Sequence, residues 1–199
     1  MKQIVDDNSM LGMDGHVLIR DIDTGEVLLN KHNAINFYNM SIALASLLAK
    51  KEDSVAGVNT GAFSIAALAL GNGGTSVDGS GNVSYRTPNV ASEIDILHNE
   101  TYSKDVQPAV ADATNQCDLV IHIAQVYSDT VVTATLDYAE PAGQNVTDNG
   151  TGTGSYTFDE IGLKTASGKL LTHLIFHPIE KSANRKLEVI YTIRITAGA

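Results

Sequence analysis

Two pairs of side chains offer this chain its most obvious chemistry. His173 and His177 stand four residues apart. On a helix that spacing would set two imidazoles side by side for one metal ion, but the flanking residues predict a strand, where the two positions lie ~13 Å apart. They cannot then share an ion, and both are expected as solvated or turn histidines. The second pair is Asp159 and Glu160. Successive residues of a strand face opposite ways, which is the wrong arrangement for two carboxylates acting on one substrate.

Three further stretches carry the look of chemistry and lose it on inspection. Asp23-Thr24-Gly25 matches the catalytic triplet of aspartic proteases, which needs two facing copies, and the chain has one. Only a homodimer would supply the second. The triplet reads better as a hairpin turn with a bulge, Gly25 taking the positive φ that such a turn requires. Gly71-Asn72-Gly73-Gly74-Thr75 is glycine-rich like a phosphate loop, yet no Gly-Lys-Ser/Thr follows and no helix begins there, so it reads as a plain loop. Cys117 sits among Asn115, Gln116 and Asp118, with nothing local to favour a thiolate. No catalytic, metal-binding or cofactor-binding residue is assigned, no cofactor is expected, and the chain is expected not to be an enzyme.

The elements that position these residues are mostly strands. From Lys186 to Thr196, Leu187, Val189, Tyr191, Ile193 and Ile195 alternate with Lys186, Glu188, Thr192, Arg194 and Thr196, with Ile190 out of step. That is a strand with one buried and one wet face. The preceding run predicts Leu170, Leu174 and Phe176 on one face and Lys169, His173 and His177 on the other. With the Tyr156–Lys164 run before it, the sequence predicts a three-stranded meander that needs a second layer. A hairpin is expected over His16–Leu29, a buried strand over Phe63–Leu70, a long loop with a short strand over Arg86–Tyr102, and a second hairpin whose turn is Ser128-Asp129-Thr130.

The one convincing helix runs from Asn33 to Lys51, with Asn33 or Asn36 as cap and lysines at its end. Ile35, Tyr38, Ile42, Ala45 and Leu48 form a stripe, while Phe37, Leu44 and Leu47 place apolar groups on other faces. A helix apolar on several sides is covered on several sides. Phe37, Leu44, Leu47 and Leu48 are accordingly the candidate interface to a neighbouring subunit.

With 199 residues and no long linker, one domain is expected: an arm over 1–14, then a β-rich unit over 15–199 with a flexible loop at 140–155. Thirteen basic against 23 acidic residues leave a net charge of −10, which disfavours nucleic acid. No apolar run reaches the roughly 20 residues of a membrane span, and the first residues lack the apolar core of a signal peptide.

Three stretches resemble a group of tailed-bacteriophage virion proteins from collar, tail and fibre-attachment positions. They are Lys31-His32-Asn33-Ala34-Ile35-Asn36 leading into the helix that ends at Leu47-Leu48-Ala49; Ile65 to Thr75, an apolar strand closed by Leu-Gly-Asn-Gly-Gly-Thr, with Glu93 or Glu100 as the acidic residue downstream; and Phe158-Asp159-Glu160-Ile161-Gly162-Leu163 followed by Gly168-Lys169-Leu170-Leu171-Thr172, Phe176-His177-Pro178-Ile179-Glu180-Lys181 and Leu187–Ile193. The resemblance implies a mainly β structural subunit with no active site to carry over, and the chain lacks the long repetitive shaft of a fibre. Together with the residue pattern it leads to an antiparallel β-sandwich-like domain of seven to nine strands with one principal α-helix. The expected role is a neck, collar or tail subunit of a phage virion, partnered by itself and by portal, connector, tail or capsid proteins, with no nucleic acid and no membrane. Its expected place is the virion, assembled in the host cytoplasm. A capsid decoration protein or a host-binding head fibre is the alternative; a glycan-binding module would show clustered aromatics, and Tyr85, Tyr102, Tyr127 and Tyr138 are dispersed.

Overall fold

The computed structural model describes residues 10–49, 54–55, 58–59, 63–91, 96–107, 112–138, 140–141 and 155–198. In chain order the elements are β1 (Met10–Asp21), β2 (Val27–His32), β3 (Ala34–Ile35), α1 (Phe37–Ala49), β4 (Ser54–Val55), β5 (Val58–Asn59), β6 (Ile65–Gly71), β7 (Thr75–Val77) and β8 (Val83–Tyr85), then β9 (Glu100–Asp105), β10 (Asn115–Ile121), β11 (Tyr127–Leu136), β12 (Ser155–Thr165), β13 (Thr172–Ser182) and β14 (Leu187–Gly198). The fold is mainly β and antiparallel. One five-stranded sheet has the order β10-β11-β14-β1-β2 and a second the order β3-β13-β12-β6-β9; β4–β5 and β7–β8 are separate hairpins. The two sheets alone hold ten strands, more than the seven to nine expected, because β3 and β9 are short additions at the margins.

The two sheets enclose one core. From the first come Val17, Ile19, Val132, Ala134, Leu187, Val189, Tyr191 and Ile193; from the second come Leu68, Leu70, Phe158, Ile161, Leu163, Leu174 and Phe176. The alternation expected along β14 is observed, with Leu187, Val189, Tyr191 and Ile193 buried. The meander is not. β12 pairs with β13, but β14 lies in the other sheet, between β1 and β11. The turn after Ser182 carries the chain across the core, so the C-terminal region supplies both layers. Periodicity names the buried face of a strand and is silent about which sheet it joins.

Four further expectations are corrected. Met10–Asp14, placed in a terminal arm, is the first part of β1, and every residue of it pairs with β14; residues 1–9 lie outside the described residues. Ser128, Asp129 and Thr130 are inside β11, and the turn of that hairpin is His122–Gln125, closed by the Gln125 amide donating to the His122 carbonyl at 3.0 Å. Leu170 is buried on the outer face of the second sheet with Ala69 and Leu97. In α1 the buried positions are Asn39, Met40, Ala43 and Ser46, whereas Tyr38, Ala45 and Leu48 of the expected stripe are exposed. Asn39 belongs to the inward side, where its Nδ2 donates to the Leu170 carbonyl at 2.8 Å. Asn36 caps the helix, its Oδ1 accepting from the Asn39 amide at 3.1 Å. The lysines at 50 and 51 lie outside the described residues, as does most of the 140–155 stretch; Glu140 itself is anchored by Tyr102 and Lys104.

Candidate functional site

The Asp159–Glu160 pair is where the strand rule fails. Pairing register between β12 and β13 shifts between Phe158 and Glu160. Phe158 and Ile161 both enter the core, and the two residues between them both end on the outer face, fully buried. Their acceptor oxygens meet the glycine-rich loop. The Gly74 amide donates to Asp159 Oδ1 at 2.8 Å, and the Thr75 amide and hydroxyl donate to Oδ2 at 2.8 and 2.5 Å. Glu160 Oε1 accepts from the amides of Gly73 (3.0 Å) and Asn99 (2.7 Å), and Oε2 accepts from the His98 amide (2.9 Å). The stretch expected as a plain loop does cradle anions, and the anions are the chain's own carboxylates. Glycine is needed for the approach: a Cβ at Gly73 would lie 2.7 Å from the Asn99 backbone nitrogen.

His173 completes this cluster. Expected in solvent, it is fully buried, its Nε2 3.1 Å from Glu160 Oε2. The Asn89 amide donates to its Nδ1 at 2.7 Å. A ring that accepts at Nδ1 carries its proton on Nε2 and donates it to Glu160, so the network fixes the tautomer. Burial pushes the Glu160 carboxyl up, but hydrogen bonds from His173 and from the amides of Asn99, His98 and Gly73 outweigh it and hold the group below its ordinary value of 4.5. All four oxygens of the two carboxylates accept hydrogen bonds, and the glutamate–histidine pair is sealed from solvent. What the arrangement does chemically is clamp the 72–75 loop, Asn89 and the His98–Asn99 pair onto the second sheet. His177 is exposed, with Tyr85 Oη 3.3 Å from its Nδ1. The two histidines therefore lie apart, as the strand spacing predicts.

A second ionic group lies on the outer face of the first sheet. Arg194 Nε and Nη2 donate to the two oxygens of Asp129 at 2.7 and 2.8 Å, the guanidinium lies 4.1 Å from the Tyr127 ring centroid, and His122 Nε2 lies 2.9 Å from Asp129 Oδ2. The Arg194 hydrogen bonds pull the Asp129 carboxyl down to about 2. Asp14, His16, His32, Thr192 and Arg194 line a shallow depression beside it of about 260 Å³. His32 is held by Asp14 and His16 by Asn30. Among the described residues no group of three or more histidine, cysteine, aspartate or glutamate side chains could hold a metal ion. Asp23 sits in the β1–β2 turn, where Asp21 Oδ1 accepts the amides of Asp23 and Thr24, Gly25 has φ +74°, and Tyr138 Oη donates to Asp23 Oδ1 at 2.7 Å.

The remaining feature is apolar. Of the four interface candidates on α1, Phe37, Leu47 and Leu48 are exposed, Leu48 at 90%, and Leu44 is half-buried. Leu44 and Leu47 line a groove of about 170 Å³ with Phe63, Cys117, Ile193 and Ile195. Cys117 is half-buried there and burial pushes its thiol up, away from the thiolate form. Beyond the groove, the β10–β11 hairpin exposes Leu119, Ile121, Ile123 and Val126. Sequence reasoning missed this hairpin tip and the Asp129–Arg194 pair for one reason: it took polar Ser128-Asp129-Thr130 for a turn. The signal available was the apolar run from Leu119 to Ile123, which is too greasy for a core-facing strand alone.

No described helix is long and apolar enough to cross a membrane. Compared with protein-family models, with curated proteins and with solved structures, the chain matches none of them.

Proposed function

We propose that this protein is a structural subunit of a tailed-bacteriophage virion, a neck, collar or tail component that works through contacts with its own copies and with neighbouring virion proteins. The observation that carries the reading is the apolar end of the sandwich. Phe37, Leu47 and Leu48 of α1 and Leu119, Ile121, Ile123 and Val126 of the β10–β11 hairpin lie in solvent on a chain of net charge −10. Exposed apolar side chains of this number, with Leu47 of α1 and Cys117 of β10 lining one groove, mark a protein contact. The buried carboxylates support the same reading, because their acceptor capacity is spent on rigidifying loops. The string from Phe158 to Ile193 supplies the link to virion proteins. Its Asp159, Glu160 and Gly162 are all drawn into the clamp, or packed beneath it, so the resemblance falls on residues that build the fold.

The test is to raise an antibody against the purified chain and label phage particles from the source culture, viewed by electron microscopy. Discrete label at the head–tail junction or along the tail is expected. Label scattered over the capsid would favour the decoration role, and particles free of label, with the protein left in the soluble lysate, would refute a virion function.

A further inference from the structure

Four strands end the two main sheets, and three of them are defended against pairing with another chain. β3 has two residues. β9 reads Glu-Thr-Tyr-Ser-Lys-Asp, with Lys104 bound to Glu140. β2 carries Asn30, Lys31 and His32 along its second half. Short edges and charged edges are how sheets avoid adding foreign strands. β10 is the least protected of the four: it is seven residues long, its one charge is Asp118, and it ends in Leu119, Val120 and Ile121, all exposed.

Its turn points the same way. Ala124, third in the four-residue turn, has φ +62°. That position calls for glycine or asparagine, and alanine there costs about 1 kcal/mol or more. The chain keeps a strained, apolar tip, with Ile123 90% exposed, where a polar turn would be cheaper. The register then shows where the apolar groups lead. Leu119 pairs with Thr130, which pairs with Ile193, and Ile121 pairs with Ser128, which pairs with Ile195. Leu119 and Ile121 therefore continue the core-facing side of the first sheet, past the groove that Leu47 and Cys117 line.

We propose that the occupant of this edge is a second copy of the chain, β10 pairing antiparallel with β10 across a twofold axis. The first sheets of the two copies would join into one ten-stranded sheet, and Leu119, Ile121 and the exposed side of α1 would be covered together. A twofold pairing is self-complementary only in certain registers. Centred on Asp118, it sets two carboxylates face to face, which is unfavourable. Centred on Val120, it sets Leu119 against Ile121 twice and Asp118 against the imidazole of His122 twice, so no like charges meet. Of these two registers the Val120 one is favoured, and it is the register proposed.

The inference deepens the assembly reading, and its test is independent of particles. Light scattering on the full chain near neutral pH is expected to give at least twice 21.1 kDa. Leu119→Lys and Ile121→Lys, both at exposed positions, are each expected to lower that mass to 21.1 kDa while leaving the far-ultraviolet circular-dichroism spectrum unchanged. Mild oxidation is expected to cross-link Val120→Cys, made in a Cys117→Ser background, into a disulfide dimer seen on a denaturing gel, and to leave Asp118→Cys in the same background without a cross-link. A mass of 21.1 kDa for the unaltered chain, a larger mass that neither lysine variant lowers, or cross-linking at position 118 in place of 120 would overturn the proposal. A chain that labels virions yet is monomeric in solution would refute this pairing alone; a β10 dimer absent from particles would refute the virion function alone.

Discussion

Replacing Glu160 with glutamine changes almost no volume and sets two hydrogen-bond donors against a third. Four donors converge on this carboxylate: the amides of Gly73 and Asn99 at Oε1, and the His98 amide and His173 Nε2 at Oε2. Glutamine offers one accepting oxygen, so whichever way its amide turns, two of the four face an NH2 group. His173 cannot relieve the conflict by moving its proton, because its Nδ1 already accepts from Asn89. Hydrogen bonds to a charged group contribute about 1.5–3 kcal/mol each, and breaking a buried ionic network costs about 3–5 kcal/mol, so Glu160→Gln should lose about 4 kcal/mol. For a chain of this length that corresponds to a fall of roughly 8–16 °C in the thermal midpoint. Urea unfolding followed by far-ultraviolet circular dichroism reads the loss directly, since the chain has no tryptophan. Asp159→Asn keeps its acceptance from Gly74 and should cost less, about 1–2 kcal/mol. The sign of the pH effect follows from the lowered carboxyl of Glu160. Its contribution is complete above the ordinary value of 4.5 and fades as pH falls through the lower folded-state value, so the gap between wild type and Glu160→Gln should narrow in acid. A loss below about 1 kcal/mol at neutral pH would show that the four contacts do not act together, and would refute the clamp.

Other perturbations test separate parts of the fold. Asp129→Asn should destabilise the chain at neutral pH, and the difference should shrink as pH falls from 3.8 to about 2, where the native carboxyl itself protonates; acid titration of the unfolding midpoint checks this. Ala124→Gly should raise stability by about 1 kcal/mol in urea, the relief of a left-handed alanine exceeding the entropy that glycine adds to the unfolded chain. Gly73→Ala should lower stability by about 1–3 kcal/mol in urea, since its Cβ would press on Asn99.

The sequence shows its strands better than their partners. Alternation along Leu187–Ile193 names the buried face of β14, because one residue in two must leave water whatever the strand's neighbours. It says nothing of the partner: sequence adjacency suggests β13, and β14 lies between β1 and β11. Asp159 and Glu160 defeated the alternation rule because a register shift inserts one residue between two core positions, and no local residue type announces a shift of that kind. His173 looked like a wet residue because histidine usually is one; its burial depends on Glu160 and on an amide 84 positions away in sequence. On α1 the surplus apolar residues were visible from the start, but their stripe was placed on the wrong side. Asn39 faces inward for a carbonyl that only the folded sheet supplies.

The pairing of β1 with β14 also sets the order of events during synthesis. Met10 lies opposite Gly198 and Asp21 opposite Leu187, so the middle of the first sheet joins two ends of the chain. A ribosome adding about 5–20 residues per second has made β1–β2 and β10–β11 many seconds before β14 exists. Until then two hairpins hold Val17, Ile19, Val132 and Ala134 with no strand between them. Each of those hairpins is a waiting template whose missing partner is the same strand, and a copy of β14 from another nascent chain would fit as well. Correct folding of this protein is therefore a race between its own last strand and its neighbours', and crowded polysomes are where that race is closest.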